Sequence, residues 1–262
     1  MIDTMSQRIT IALIQSHLHW ENPEDNRKMF EEKINTVSKD TDLIILPEMF
    51  TTGFTMTPQK IEAEEGDITV GWMKSMAEKT ESAIMGSIIF QEDDQFFNRL
   101  FFVYPNGETK TYDKKHTFTL AGEDKVYKAG EEKLILEYKG FKICPLICYD
   151  LRFPVWARNT EDYDVLVYVA NWPKPRIEAW NTLLKARAIE NMAYCVGVNR
   201  IGQDELGYDY PGHSAVYDVL GKQLAFSEGE EILYATLDKE HIVSTRQKLK
   251  FLEDRDDFSL KG

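Results

Sequence analysis

The chain has 262 residues, 43% of them hydrophobic and 29% charged, and a formal net charge of −13. An acidic excess of this size speaks against a nucleic-acid partner, whose phosphates need clustered Lys and Arg, and no apolar run approaches the roughly 20 residues that span a bilayer. Three cysteines make no disulfide framework and Met1–Gln7 lacks the basic and apolar regions of a signal peptide, so the expectation is a soluble, cytoplasmic protein with reduced thiols.

No linker, charge block or internal repeat divides the chain, and it reads as one domain over residues 1–262. Ile9–Gln15, rich in β-branched residues, predicts a first strand. Asn22-Pro23 offers a helix start, and Met29, Phe30, Ile34 and Val37 recur at helical spacing as far as Ser38. Leu43–Leu46 does not alternate and predicts a strand buried on both faces; it runs directly into Pro47-Glu48.

Asp67–Ser82 predicts a helix, and Ala83–Phe90 and Asn98–Tyr104 predict strands. The Asn106-Gly107 pair marks a hairpin towards Lys110–Tyr112, after which come Asp113, Lys114, Lys115 and His116. Leu134–Tyr138 and Phe141–Ile147 pair through Lys139-Gly140, and the second of these strands ends abruptly at Cys148. Asp164–Ala170 predicts a strand, and Arg176–Ala193 a helix with an apolar stripe of Trp180, Leu183, Leu184 and Ile189. Tyr194–Asn199, Ser214–Val219 and Ile232–Leu237 predict the remaining strands. Alternating elements early and strand pairs late imply an α/β class with a mixed sheet or two packed sheets.

Three reactive groups stand at predicted strand ends: Glu48, Lys114 and Cys148. Open α/β sheets bind ligands at such carboxyl ends. Each group also has a plain reading, as helix cap, solvated surface and core cysteine respectively. Glu and Lys are rarely buried, however, and two of them beside apolar strand ends call for each other as partners. A thiol needs a base to become a nucleophile; a desolvated carboxylate is a stronger base, and an ammonium favours both a thiolate and an oxyanion. The backbone amide of Tyr149 stands beside the thiol as a further oxyanion donor.

Leu46–Phe50, Tyr112–His116 and Ile147–Phe153, together with Ala186–Asn191 and Gly212–Ser214, resemble the signature segments of the nitrilase (carbon–nitrogen hydrolase) superfamily, in that family's order and across essentially the whole chain. The resemblance implies a Glu48–Lys114–Cys148 triad with Glu123 assisting. It implies an αββα sandwich of two mixed sheets flanked by helices, paired as a homodimer into a four-layer αββα–αββα body. Within the family, Pro47–Gly53 and Tyr149–Trp156 look most like the bacterial ω-amidases, which hydrolyse the terminal amide of 2-oxoglutaramate and relatives. The segment Thr117-Phe118-Thr119-Leu120 departs from the family's commoner pattern, close to where substrate would lie.

The expected activity is therefore cleavage of a small linear amide through a cysteine thioester with release of ammonia. Alternatives are a deaminated-glutathione amidase, an N-carbamoyl hydrolase, or a non-catalytic binding protein on the same fold. His116 with Cys148 as a protease-type dyad is a further alternative. An acidic chain needs a local cation to hold an anionic substrate; Arg152 is the candidate, against a reading in which it pairs with Asp150 or another acid. Asn171 and Trp172 are candidates to line the pocket. Cys144 and Cys195 read as packing, and His213 as a structural hydrogen-bonding residue. No phosphate loop or zinc spacing stands out, so neither cofactor nor metal is expected.

Overall fold

The computed structural model describes residues 7–259, so Met1–Ser6 of the leader reading lie outside the described residues. In chain order the elements are β1 (Arg8–Gln15), α1 (Pro23–Ile34), β2 (Leu43–Ile45), α2 (Glu65–Thr80), β3 (Ala83–Glu92), β4 (Gln95–Val103), β5 (Thr109–Asp113), β6 (Leu136–Tyr138), β7 (Phe141–Ile147), α3 (Pro154–Ala157), β8 (Val165–Ala170), α4 (Ile177–Asn191), β9 (Tyr194–Asn199), β10 (Ile201–Gln203), β11 (Asp209–Pro211), β12 (Ser214–Tyr217), β13 (Gln223–Ser227), β14 (Glu231–Asp238) and α5 (Lys239–Leu249). Two mixed six-stranded sheets result, ordered β14-β1-β2-β3-β4-β5 and β13-β12-β9-β8-β7-β6. The central pairs β1/β2, β2/β3, β7/β8 and β8/β9 are parallel, and the outer ones antiparallel.

Strand alternation sorts the core into layers. Ile9, Ile11 and Leu13 of β1, with Leu43 and Ile45 of β2, face the second sheet and pack among Ile143, Ile147 and Val167. Ala12, Ile14 and Ile44 point the other way, onto Phe30 and Ile34 of α1 and Met73 and Ala77 of α2. On the far side Trp180, Leu184 and Ala188 seat α4 against β9. There Gly197 is required, because a Cβ would lie 2.4 Å from Leu184 and 2.7 Å from Trp180. The layers are helix, sheet, sheet, helix, as expected for the αββα sandwich.

The differences from the sequence reading are local. α1 stops at Ile34, short of Ser38, with Asn35 as its C-cap. Ile189 is 47% exposed rather than part of the stripe, because the buried face of α4 runs through 180, 184 and 188, one position away; it covers Gly221 instead. β10, β11, β13 and α5 were not expected. The first two are only three residues long, β13 is an exposed edge, and α5 buries Ile242 alone. Among the described residues no helix is long and apolar enough to cross a membrane.

Candidate active site

Both sheets aim the carboxyl ends of their parallel strands at one place. Beyond β2, Leu46 and Pro47 lead to Glu48, and the turn after it is held by the Met49 amide donating to Ser87 Oγ at 3.0 Å. Beyond β7, Cys148 opens a 3₁₀ turn, Cys148–Arg152. Met49 and Cys148 both hold φ +43°, a left-handed conformation that side chains seldom adopt and that clusters at functional sites. Beyond β5, the Lys114 amide donates to Asn98 O at 3.0 Å and its carbonyl accepts from Gly130 at 2.9 Å. Glu123 begins a 3₁₀ turn just after Gly122, itself at φ +76°.

These side chains meet in the interior: Glu48 and Glu123 are fully buried and Lys114 is 1% exposed. Lys114 Nζ donates to Glu48 Oε1 at 2.8 Å and to Glu123 Oε2 and Oε1 at 2.9 and 3.0 Å. Asn98 Nδ2 donates to Glu48 Oε1 at 2.8 Å and to Glu123 Oε1 at 3.2 Å. The other Glu48 oxygen accepts from the Asn171 amide at 2.8 Å, while Asn171 Nδ2 reaches the Glu48 carbonyl at 2.6 Å. The Phe118 amide holds Glu123 Oε2. Cys148 Sγ lies 3.9 Å from Asn171 O, at the wall of a cavity of about 230 Å³ that Lys114 also reaches.

The electrostatics follow from burial. Desolvation opposes the Lys114 charge, but Glu123 and Glu48 outweigh it and push the ammonium well above its ordinary range. Desolvation raises the Glu123 carboxyl, with Lys114 pulling it down less than burial and Glu48 push it up. Desolvation, then the Glu48 charge, drive the Cys148 thiol well above 9.0, and Lys114 only partly offsets them. A neutral thiol thus rests beside a carboxylate that is already hydrogen-bonded to an ammonium. A proton passed from sulfur to carboxylate leaves the charge of the buried cluster unchanged, whereas its loss to water would add a buried negative charge.

The remaining expectations fall as follows. Tyr149 lines the cavity, and its amide lies in the leading turn of the 3₁₀ segment, where amides have no partner within the turn. Arg152 lines the cavity with its guanidinium 5.1 Å above the Trp172 ring. It does not pair with Asp150, whose oxygens are taken by Tyr112, His116 and the Ile147 amide. Trp172 lines the cavity, as do Phe118 and Leu120 of the atypical segment. Asn171 reaches the cavity too, but its donors are engaged by Glu48. Cys144 and Cys195 are buried, with thiols raised by desolvation, and His213 Nδ1 bonds Asn181 at 3.0 Å. Among the described residues no cluster of three or more His, Cys, Asp or Glu side chains is set to hold a metal ion.

Two residues escaped the sequence reading. Asn98 sits in β4 between Phe97 and Arg99, and a polar residue within a predicted strand was the available signal. Arg176 follows Lys174-Pro175, reads as a solvated helix start, and instead lines the cavity.

The model of the carbon–nitrogen hydrolase family matches residues 10–247. Omega-amidase YafV of Yersinia enterocolitica is 40% identical over 254 residues, covering 96% of this chain and 98% of the relative. The 2-oxoglutaramate amidase of Bacillus subtilis is 34% identical, covering 94% of this chain and 96% of its own. Among solved structures, XC1258 of Xanthomonas campestris, a CN-hydrolase superfamily protein with an arsenic adduct in its active site, superposes with a TM-score of 0.94 at 38% identity, covering 97% of this chain and 99% of that one. Matched along nearly its full length by family model, relatives and fold alike, this chain belongs to the carbon–nitrogen hydrolase family.

Proposed function

We propose that this hydrolase is an ω-amidase, cleaving the terminal amide of 2-oxoglutaramate and related small α-keto ω-amides through a thioester on Cys148. The observation that carries the reading is Lys114 Nζ held between Glu48 and Glu123 at 2.8–3.0 Å, at the wall of the cavity that Cys148 also lines. The relatives named as ω-amidase and 2-oxoglutaramate amidase support the substrate class.

In the proposed cycle Glu48 accepts the Cys148 proton and the sulfur attacks the amide carbon. Lys114 and the Tyr149 amide meet the oxyanion of the tetrahedral intermediate. Its collapse breaks the carbon–nitrogen bond, and the departing nitrogen takes the proton from Glu48 to leave as ammonia. Glu48 then takes a proton from water as the water oxygen attacks the thioester, and that proton returns to sulfur as the acid departs. Glu123 keeps Lys114 charged and turned towards the oxyanion.

Ammonia release tests the reading on a panel of 2-oxoglutaramate, an amino-acid amide, an N-carbamoyl amino acid and a small nitrile. The highest kcat/KM is expected on 2-oxoglutaramate; preference for the carbamoyl compound or the nitrile overturns the assignment. A homodimer, a single domain over residues 1–262 and a cytoplasmic location complete the proposal, the first from the family's habit and the last from three unpaired cysteines. Sedimentation at several protein concentrations tests the dimer.

A further inference from the structure

The cavity carries more positive charge than the reacting amide needs. Besides Lys114 it is lined by Arg152 and Arg176. The Arg152 guanidinium lies 5.1 Å above the Trp172 ring and that of Arg176 lies 5.0 Å above Phe118. A guanidinium stacked on an aromatic face keeps its N–H donors in its own plane, directed past the ring. Among the described residues neither guanidinium donates a hydrogen bond or pairs with a carboxylate, whereas Arg99, Arg187 and Arg246 all have acidic partners.

Their aromatic supports belong to one framework. The Trp172 indole nitrogen donates to the Arg176 carbonyl at 2.7 Å, and the Trp172 amide donates to Asn199 at 2.7 Å, so the ring beneath Arg152 is tied to the backbone of Arg176. Phe118, beneath Arg176, packs on Tyr149 at 4.9 Å and donates its amide to Glu123. Among the described residues the one carboxylate in the cavity lining is Asp204, and it is already engaged. It accepts from the Leu206 and Tyr208 amides at 3.0 and 2.9 Å and from the Tyr210 hydroxyl at 2.9 Å. Two guanidinium groups over aromatic rings, their donors without a protein partner among the described residues, therefore line a cavity in a protein of net charge −13.

Building on the ω-amidase reading, we infer that Arg176 shares with Arg152 an anion subsite that grips the carboxylate at the end of the substrate remote from the scissile amide, and that Arg176 thereby sets the preference for acid-terminated amides. Planar guanidinium edges suit a carboxylate bidentately, and the aromatic rings favour the guanidinium positions over the cavity.

The test separates this subsite from the ω-amidase reading by using a readout that needs no turnover. In the Cys148→Ala protein, calorimetric titration with 2-oxopentanoate, which carries the α-keto acid end and no second carboxylate, measures binding of the acid end alone. Arg176→Met in that background is expected to weaken binding roughly 10- to 100-fold, the range for loss of a hydrogen-bonded charge pair. Arg176→Lys should recover part of it. In the enzyme with Cys148 intact, the ratio of kcat/KM for 2-oxoglutaramate to that for an uncharged amide of equal length should fall by a similar factor in Arg176→Met. No binding of 2-oxopentanoate, or equal binding with and without Arg176, overturns the subsite whatever the enzyme hydrolyses. Failure of the ω-amidase reading shows separately, as absent ammonia release from 2-oxoglutaramate by the wild type.

Discussion

His116 Nδ1 donates to Asp150 Oδ1 at 2.8 Å, and the His116 amide donates to the same oxygen at 3.0 Å. The pair joins the segment that presents Lys114 to the turn that presents Cys148. The other Asp150 oxygen accepts from Tyr112 Oη at 2.7 Å and the Ile147 amide at 3.0 Å, and Trp156 donates to the Tyr112 oxygen at 3.1 Å. The imidazole stacks on Phe153 with centroids 3.7 Å apart. A ring so engaged is a fastener between strand ends, and the dyad of His116 with Cys148 finds no support in it.

His116→Phe, which keeps the stacked ring but removes the donor to the buried Asp150 carboxylate, should therefore reduce stability by about 1–3 kcal/mol. Its kcat should fall much less than the factor of roughly 10²–10⁴ expected for Glu48→Gln, which removes the proposed base. Thermal melts and steady-state rates on both variants check this. A loss as severe as that of Glu48→Gln, with an unchanged melt, would make His116 the base instead.

The resting thiol should be neutral. Burial and the Glu48 charge raise the Cys148 pKa above its ordinary 9.0, so the thiolate forms only at pH values beyond that. The difference in ultraviolet thiolate absorbance between wild type and Cys148→Ser should be flat through neutral pH and rise only in strong alkali. A thiolate band already present at neutral pH would contradict the proton-transfer step assigned to Glu48.

Asn98 does not reach the cavity, yet its amide nitrogen bridges Glu48 and Glu123. Asn98→Leu should lower kcat by roughly tenfold or more through misplacement of the carboxylates, with KM little changed. A change confined to KM would show that Asn98 acts on substrate placement.

Away from the site, Glu230 accepts from Ser16 at 2.9 Å, His17 at 2.9 Å and Lys33 at 3.0 Å. Partial burial opposes its charge, but these donors prevail and lower its pKa from 4.5 to about 2. A carboxyl depressed in the fold stabilises above its ordinary value, and that contribution disappears as pH falls from 4.5 towards 2. The gap in melting temperature between wild type and Glu230→Gln should be open at neutral pH and close across that interval. A gap independent of pH would mean that the loss is one of packing.

Much of this architecture was legible because hydrophobic pattern and strand ends coincide. The unbroken apolar runs before Glu48 and Cys148 marked central parallel strands, and the reactive side chains stand just beyond them. Asn98 was hidden because, next to Arg99, it reads as part of a strand's solvent-facing polar set. Arg176 was hidden because its stacking partner Phe118 lies 58 residues earlier in a loop. The short β10 and β11 and the edge strand β13 carry no alternation to detect, and α5 buries too little to show a helical stripe. Fold-level pattern is local, whereas cavity walls are assembled from distant loops.

The central claim is a covalent acyl-enzyme on Cys148. Mass spectrometry of a rapidly quenched reaction with 2-oxoglutaramate, followed by peptide mapping, should show the acyl group on the peptide carrying Cys148, and no adduct or turnover in Cys148→Ala. An adduct on Cys144 or Cys195 instead, or substantial turnover by Cys148→Ala, would contradict the account.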